Sequence, residues 1–405
     1  MWTRNKIIFG VVVLTLVVSG VTLWLLSVSG KVCIARTGIE PPRAYVENDA
    51  FEEAISEMRG EVLGSLVRMF DSETGFFVYG LAPDGTRYNG NNDIRQLLAS
   101  RVLAEESARD ASLLPLHEEN LRAIMSEWYK EEGGVGYVYA YNKSKLGANA
   151  MLLRVLTASP LSLSYGAEAK KLVFGIASIQ NEDGSFEPWL KEPSYEYDRD
   201  YLLTFYSGEA ILALLEYAEK TGDKLSGDIA KRAQDFYIGE YALRIDENYY
   251  PAYVPWHTLS LAKLYEKTKD ERYRDAIFTL TDKLLELEDT EKFIGRFYNP
   301  ETPQYGTPHA STDAVYTEGL ATAYAVAREV GDAERETRYR TALTRAFQNL
   351  ENLQFTAPRY RIFDDREVAL RLKGGIQTGL CDSNIRIDST AHTVDALGAT
   401  IRALE

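Results

Sequence analysis

Four scarcities in this sequence narrow its function before any motif is read. Only two cysteines are present, Cys33 and Cys381, far apart in the chain, so neither a disulfide framework nor a Cys-x-x-Cys site is expected. Basic residues are outnumbered, 45 Lys and Arg against 60 Asp and Glu, and no basic run occurs. With a net charge of −15 the chain lacks the concentrated cations that phosphate backbones require, so no nucleic acid is expected as partner. Histidine is rare, at four residues, with no i,i+4 pair and no short-spaced cluster with other ligands, so no metal site and no cofactor is expected. Strand-like alternation never persists for more than a few residues, which excludes a β-rich fold.

One long apolar run is present. Residues 7–30 carry no charge, long enough to span a bilayer, and follow a short stub, residues 1–6, with Arg4 and Lys6. A cleaved signal peptide has a shorter core of ~7–15 residues. The expectation is a transmembrane signal anchor over 7–30 and a linker over 31–50 holding Pro41 and Pro42. The remainder, 51–405, forms one domain outside the cytoplasm, with the membrane as partner through the N-terminal helix.

From Phe51 onward the pattern is helical, in two alternating classes. Amphipathic segments are predicted at Glu52–Phe70, Glu118–Lys130, Ala167–Gln180, Asp228–Tyr241, Glu271–Glu288 and Ala333–Leu353. Apolar, Ala- and Leu-rich segments are predicted at Asp93–Glu105, Gly147–Thr157, Ser207–Lys220, Pro255–Thr268, Tyr316–Val330 and Ser389–Leu404. The first class suits an outer layer with one wet face, the second an inner layer packed all round. Glu219–Asp223, Glu266–Asp270 and Arg328–Asp332 repeat one junction that closes an apolar helix and opens an amphipathic one. Gly-plus-aromatic loops, such as Gly133–Tyr137, Asp183–Phe186 and Gly295–Tyr298, follow amphipathic helices.

Six such hairpins and their rim loops resemble the all-α (α/α)6 toroid superfamily. It includes six-hairpin glycosidases, polysaccharide lyases, acylglucosamine 2-epimerases and the helical domain of glucuronyl 5-epimerases. The resemblance spans roughly 51–405 and implies a carbohydrate substrate. It carries fold information more than chemistry, because no unique catalytic motif accompanies it.

In such a toroid, polar residues in the first turn of an inner helix face the cleft. Glu209, Glu318 and Asp388 are the carboxylates so placed. An acid and a base or nucleophile among them would cleave a glycosidic bond, burial raising the pKa of the acid. His257 and His392 begin inner helices as well and are candidates for orienting a substrate; in the resembled epimerases, inner-face histidines move protons. Substrate contacts are expected from Arg95, Asn149, Tyr206, Trp256, His309 and Arg386. Aromatic faces stack on sugar rings, and guanidinium groups clamp carboxylates. The leading expectation is a membrane-anchored glycoside hydrolase acting on a polysaccharide or lipid-linked glycan. The alternatives are a sugar or uronate epimerase or lyase using His or Tyr, and a non-catalytic toroid in an envelope glycan-assembly complex.

Overall fold

A computed structural model describes residues 48–88, 90–356 and 366–405. The expected span 7–30, and the linker up to residue 47, lie outside the described residues. Among the described residues no helix is long and apolar enough to cross a membrane.

Among the described residues, twelve long helices alternate between two rings. The outer ring holds α1 (Asn48–Arg68), α3 (Leu114–Glu127), α5 (Gly166–Ala177), α7 (Lys224–Tyr237), α9 (Glu271–Leu285) and α11 (Ala333–Leu353). The inner ring holds α2 (Asp93–Arg109), α4 (Leu146–Ala158), α6 (Arg199–Thr221), α8 (Tyr253–Thr268), α10 (Ala310–Val330) and α12 (Ile387–Leu404). Each inner helix packs on the next, and α12 returns to α2, so the inner ring is closed. The first outer helix, α1, packs on the last inner one, α12. The fold is an (α/α)6 toroid.

The repeated junctions work as their residues dictate. Gly222 and Gly331 adopt left-handed φ of 73° and 71° after α6 and α10, and Lys269 takes the same role after α8 at φ 54°. The following aspartates cap the outer helices. Asp223 accepts from the Ser226 N–H at 2.9 Å, Asp270 from Arg272 at 3.0 Å and Asp332 from Arg335 at 3.1 Å. Close approach inside the ring depends on missing side chains. A Cβ on Gly208 of α6 would sit 2.5 Å from the Trp256 Cβ of α8.

Two helix starts differ from the sequence expectation, with consequences for the site. Helix α6 begins at Arg199, capped by Asp198, whose carboxylate accepts from the Tyr201 N–H at 2.9 Å. Helix α10 begins at Ala310 rather than Tyr316, with the His309 side chain as its cap. Glu209 and Glu318 therefore lie two to three turns inside their helices and not in first turns.

Short strands of two to five residues edge the rim. The longest, Asp382–Arg386, pairs with Gln377–Gly379 on one side and Gly80–Leu81 on the other. Cys381, beside this strand, is disulfide-bonded.

Candidate active site

The inner helices run parallel, and their two ends line different chambers. N-terminal halves surround a cavity of about 490 Å³. It takes Arg95 from α2, Met151 from α4, Tyr206 and Glu209 from α6, Trp256 from α8, Tyr316 from α10, and Asp388 and His392 from α12. Deeper along the helices, their middles and C-terminal parts enclose a charged well of about 180 Å³, lined by Arg101, Arg154, Glu216, Lys263, Glu318 and Asp395 among others.

Of the expected site residues, Glu209, Asp388, His392, Arg95, Tyr206, Trp256, His309 and Arg386 line the cavity together. Three do not. Glu318 projects into the charged well because it lies two turns down α10. His257 is buried between helices. Its Nε2 is 3.0 Å from Ser207 Oγ, which itself donates to the Leu203 carbonyl at 2.6 Å. Gln234 Nε2 lies 3.1 Å from His257 Nδ1, while Gln234 Oε1 accepts from Ser260 Oγ at 2.6 Å. Every one of these bonds is consistent with a neutral ring protonated on Nε2, and burial lowers its pKa to about 3. His257 is a structural histidine. Asn149 is fully buried, accepting from the Val138 N–H at 2.7 Å and contacting Ser144 Oγ at 3.2 Å; it ties a rim strand to α4 and does not meet the cavity.

The two cavity carboxylates stand in opposite states. Glu209 is 4% exposed, and its Oε2 has no hydrogen-bond partner. Burial raises its pKa to about 7, although the charges of Arg154 and Lys145 oppose the rise. Asp388 is also 4% exposed, and burial works to raise it too. Two guanidiniums override that. Arg386 Nε and Nη2 each meet a different carboxylate oxygen at 2.6 Å, and Arg95 Nε approaches at 3.0 Å, so Asp388 is held below the usual carboxylate range. Arg95 and Arg386, expected as substrate contacts, both close here on the protein's own carboxylate.

His392 and His309 border the same space as neutral imidazoles. Burial lowers His392 to about 3 and His309 to about 4. His392 Nδ1 is unpartnered, and the ring lies 6.0 Å from that of Trp256. Behind it, one donor atom each of Glu318, His392 and Asp395 falls within 4.8 Å of the others. Such a trio suits a divalent cation in principle, but Arg101 already pairs with Asp395, so it reads as part of an ion-pair network.

Sequence reasoning missed the aromatic wall: Tyr201, Phe205, Tyr250, Tyr305 and Tyr316 all line the cavity. Recognising Asp198 as an N-cap would have placed Tyr201 and Phe205 on α6 with Tyr206. Tyr253, the first residue of α8, is fully buried behind this wall.

Glycine at 147 makes room for the acid. A Cβ there would overlap Glu209 Oε2 and stand 2.6 Å from Tyr206 Cδ1. Gly147→Ala is expected to displace the carboxyl, lowering activity about tenfold or more, with a loss of roughly 1–3 kcal/mol in stability. Activity and a thermal melt measured together check this; an unchanged rate would show that the carboxyl position does not matter.

No protein-family model matches the chain, and no curated protein matches it. Solved structures do. A D-mannose isomerase superposes with a TM-score of 0.65 at 13% identity, over 89% of this chain and 98% of its own. A GH76 alpha-mannanase from Bacteroides thetaiotaomicron gives 0.60 at 14%, over 86% and 96%. A cellobiose 2-epimerase from Bacillus thermoamylovorans gives 0.61 at 13%, over 86% and 99%. At these identities the likeness establishes the toroid and leaves the chemistry to the residues.

Proposed function

We propose that this chain is a carbohydrate-active enzyme that hydrolyses a glycosidic bond in the cavity of the inner ring. The observation that carries the reading is the Glu209–Asp388 contrast: one buried carboxyl with an unpartnered oxygen and a pKa raised to about 7, the other held ionised by two guanidiniums, in one aromatic-lined cavity. Acid and base assignments follow from such a split. Glu209 gives its proton to the glycosidic oxygen as the bond to the anomeric carbon breaks. Water adds to that carbon, and Asp388 orients it and receives its proton. Arg95, with its side chain 35% exposed, is the arginine that an arriving sugar hydroxyl can draw away, restoring basicity to Asp388. Tyr206, Trp256 and Tyr316 offer faces for the ring. The neighbours whose names denote action on mannose, mannan or cellobiose support a sugar substrate.

A second reading has its own support. Neutral His309 and His392 are unprotonated bases in the same cavity, as proton abstraction in epimerisation or isomerisation requires. One assay separates the two. Oligosaccharides incubated with the protein in heavy water give new reducing ends if hydrolysis occurs. They lose a carbon-bound proton signal without cleavage if epimerisation occurs. A silent panel of neutral and acidic sugars would remove both and favour a non-catalytic toroid.

The uncharged run at 7–30 supports anchoring of this domain to a membrane, and the disulfide at Cys381 fits a toroid outside the cytoplasm, where oxidising conditions sustain such bonds. Protease added to intact cells is expected to digest the toroid; protection until lysis would reverse the orientation.

A further inference from the structure

A second, larger groove adjoins the cavity. It measures about 730 Å³, and Tyr201 and Tyr250 line both chambers. Their rings meet edge to face at 5.7 Å and form the partition. Beyond it the groove continues past Phe236, Tyr237 and Tyr241. The chain takes a π-helical turn at Ile238–Ala242, a form found often at functional sites, and Tyr241 stacks on Tyr253 at 4.0 Å. Both chambers fall in the size range of ligand sites, about 300–1,000 Å³.

The charge of the groove is one-sided. Asp183, Asp198, Asp200 and Glu240 line it, against Arg199. Arg199 is already paired with Glu187 at 3.0 Å. Glu240 pairs with Arg244 at 3.0 Å, and Asp200 is 93% exposed. In the adjoining cavity both arginines close on Asp388. Neither chamber therefore offers an acidic sugar a cation without a carboxylate already on it.

We propose that this groove holds the sugar units leading away from the reacting bond. The substrate is then an oligosaccharide or longer chain of uncharged or amino-bearing sugars, crossing from cavity to groove over the Tyr201–Tyr250 pair. The proposal rests on the hydrolase reading and extends it to substrate length and charge. Aromatic platforms in a row accept successive ring faces, and the carboxylates accept hydroxyl or ammonium hydrogens.

The test is binding, measured by calorimetry on the full chain carrying Glu209→Gln, so that turnover does not interfere. The probes are manno-, gluco- and glucosamine oligosaccharides of two and of five units, with an oligoglucuronate as the acidic control. A five-unit chain is expected to bind about tenfold or more tightly than the two-unit chain of the same sugar. Phe236→Ala in that background should flatten the dependence on length. Asp200→Asn, at an exposed position whose contact with Arg199 is a loose 3.6 Å, should reduce the preference for the glucosamine chain over the neutral one. Equal affinity at both lengths, or tightest binding of the oligoglucuronate, would overturn the groove assignment while leaving a sugar-binding cavity intact. Absence of binding by every probe would overturn the hydrolase reading along with it.

Discussion

Replacing Glu209 with glutamine is expected to lower kcat by ~10²–10⁴-fold, the range that a positioned general acid contributes, while oligosaccharide binding persists. Glutamine keeps the shape and the neutral charge but has no proton to give. The wild-type rate should fall as pH rises through about 7, where Glu209 ionises, and the residual rate of the variant should lose that limb. Stability should depend on the same proton. Burial sets the folded pKa near 7, above the ordinary carboxyl value of 4.5. Between those values the folded protein holds a proton that the unfolded chain has released, so the stability contributed by this group falls as pH rises across that window. Above pH 7 the wild type carries a buried charge at a cost on the order of 3 kcal/mol. The variant carries none, so it should melt higher than wild type at pH 8 and level with it at pH 4. Thermal melts at the two pH values, beside initial rates, check both halves. A variant that keeps wild-type turnover would remove Glu209 from the chemistry.

The architecture was readable because its signals are local. A left-handed C′ residue followed by a capping aspartate marks three helix junctions, and α11 runs over Ala333–Leu353 as read from those signals. The site was readable in part. Asp388 and His392 stand near the start of an inner helix, where such residues face the cavity. Glu209 reached the cavity by a different route, three turns into α6, whose opening, Tyr201 to Tyr206, mixes Leu202 and Leu203 with aromatics and lies behind the Asp198 cap that marks the true start. The same misplacement put Glu318 on the wrong side of the ring: two added turns at the start of α10 carry it down to the charged well. Arg386 and Asp388, two residues apart where a rim strand ends, are placed to pair by local alternation, but nothing in the local sequence announces that Arg95 joins them, or that Tyr250 and Tyr305 swing in. Those contacts are tertiary and depend on how the rings close.

The charged well gives the largest expected effect on stability. Arg101 and Asp395 pair there with side chains 4% and 6% exposed. Burial opposes the charge on Arg101, but Asp395 and then Glu105 outweigh it, so the guanidinium stays charged. Asp395→Ala strands that cation beside Glu105, its remaining hydrogen-bonded partner at 2.5 Å, whose side chain is 34% exposed. Breaking a buried pair from one side costs roughly 3–5 kcal/mol, and urea unfolding should show a loss of that order. Glu318 sets how large the loss becomes. Burial, and next the negative charge of Asp395, raise its pKa to about 7. Without Asp395 its proton comes off more readily, and the new carboxylate can partly replace the missing partner of Arg101. The two acids should therefore be coupled: Asp395→Ala with Glu318→Gln should lose more than the two single changes added together. Arg101→Met with Asp395→Leu removes both charges and should recover most of the loss. If Asp395→Ala alone unfolds like wild type, or the double acid variant is simply additive, the well is not one electrostatic unit and Glu318 has no part in holding the inner ring closed.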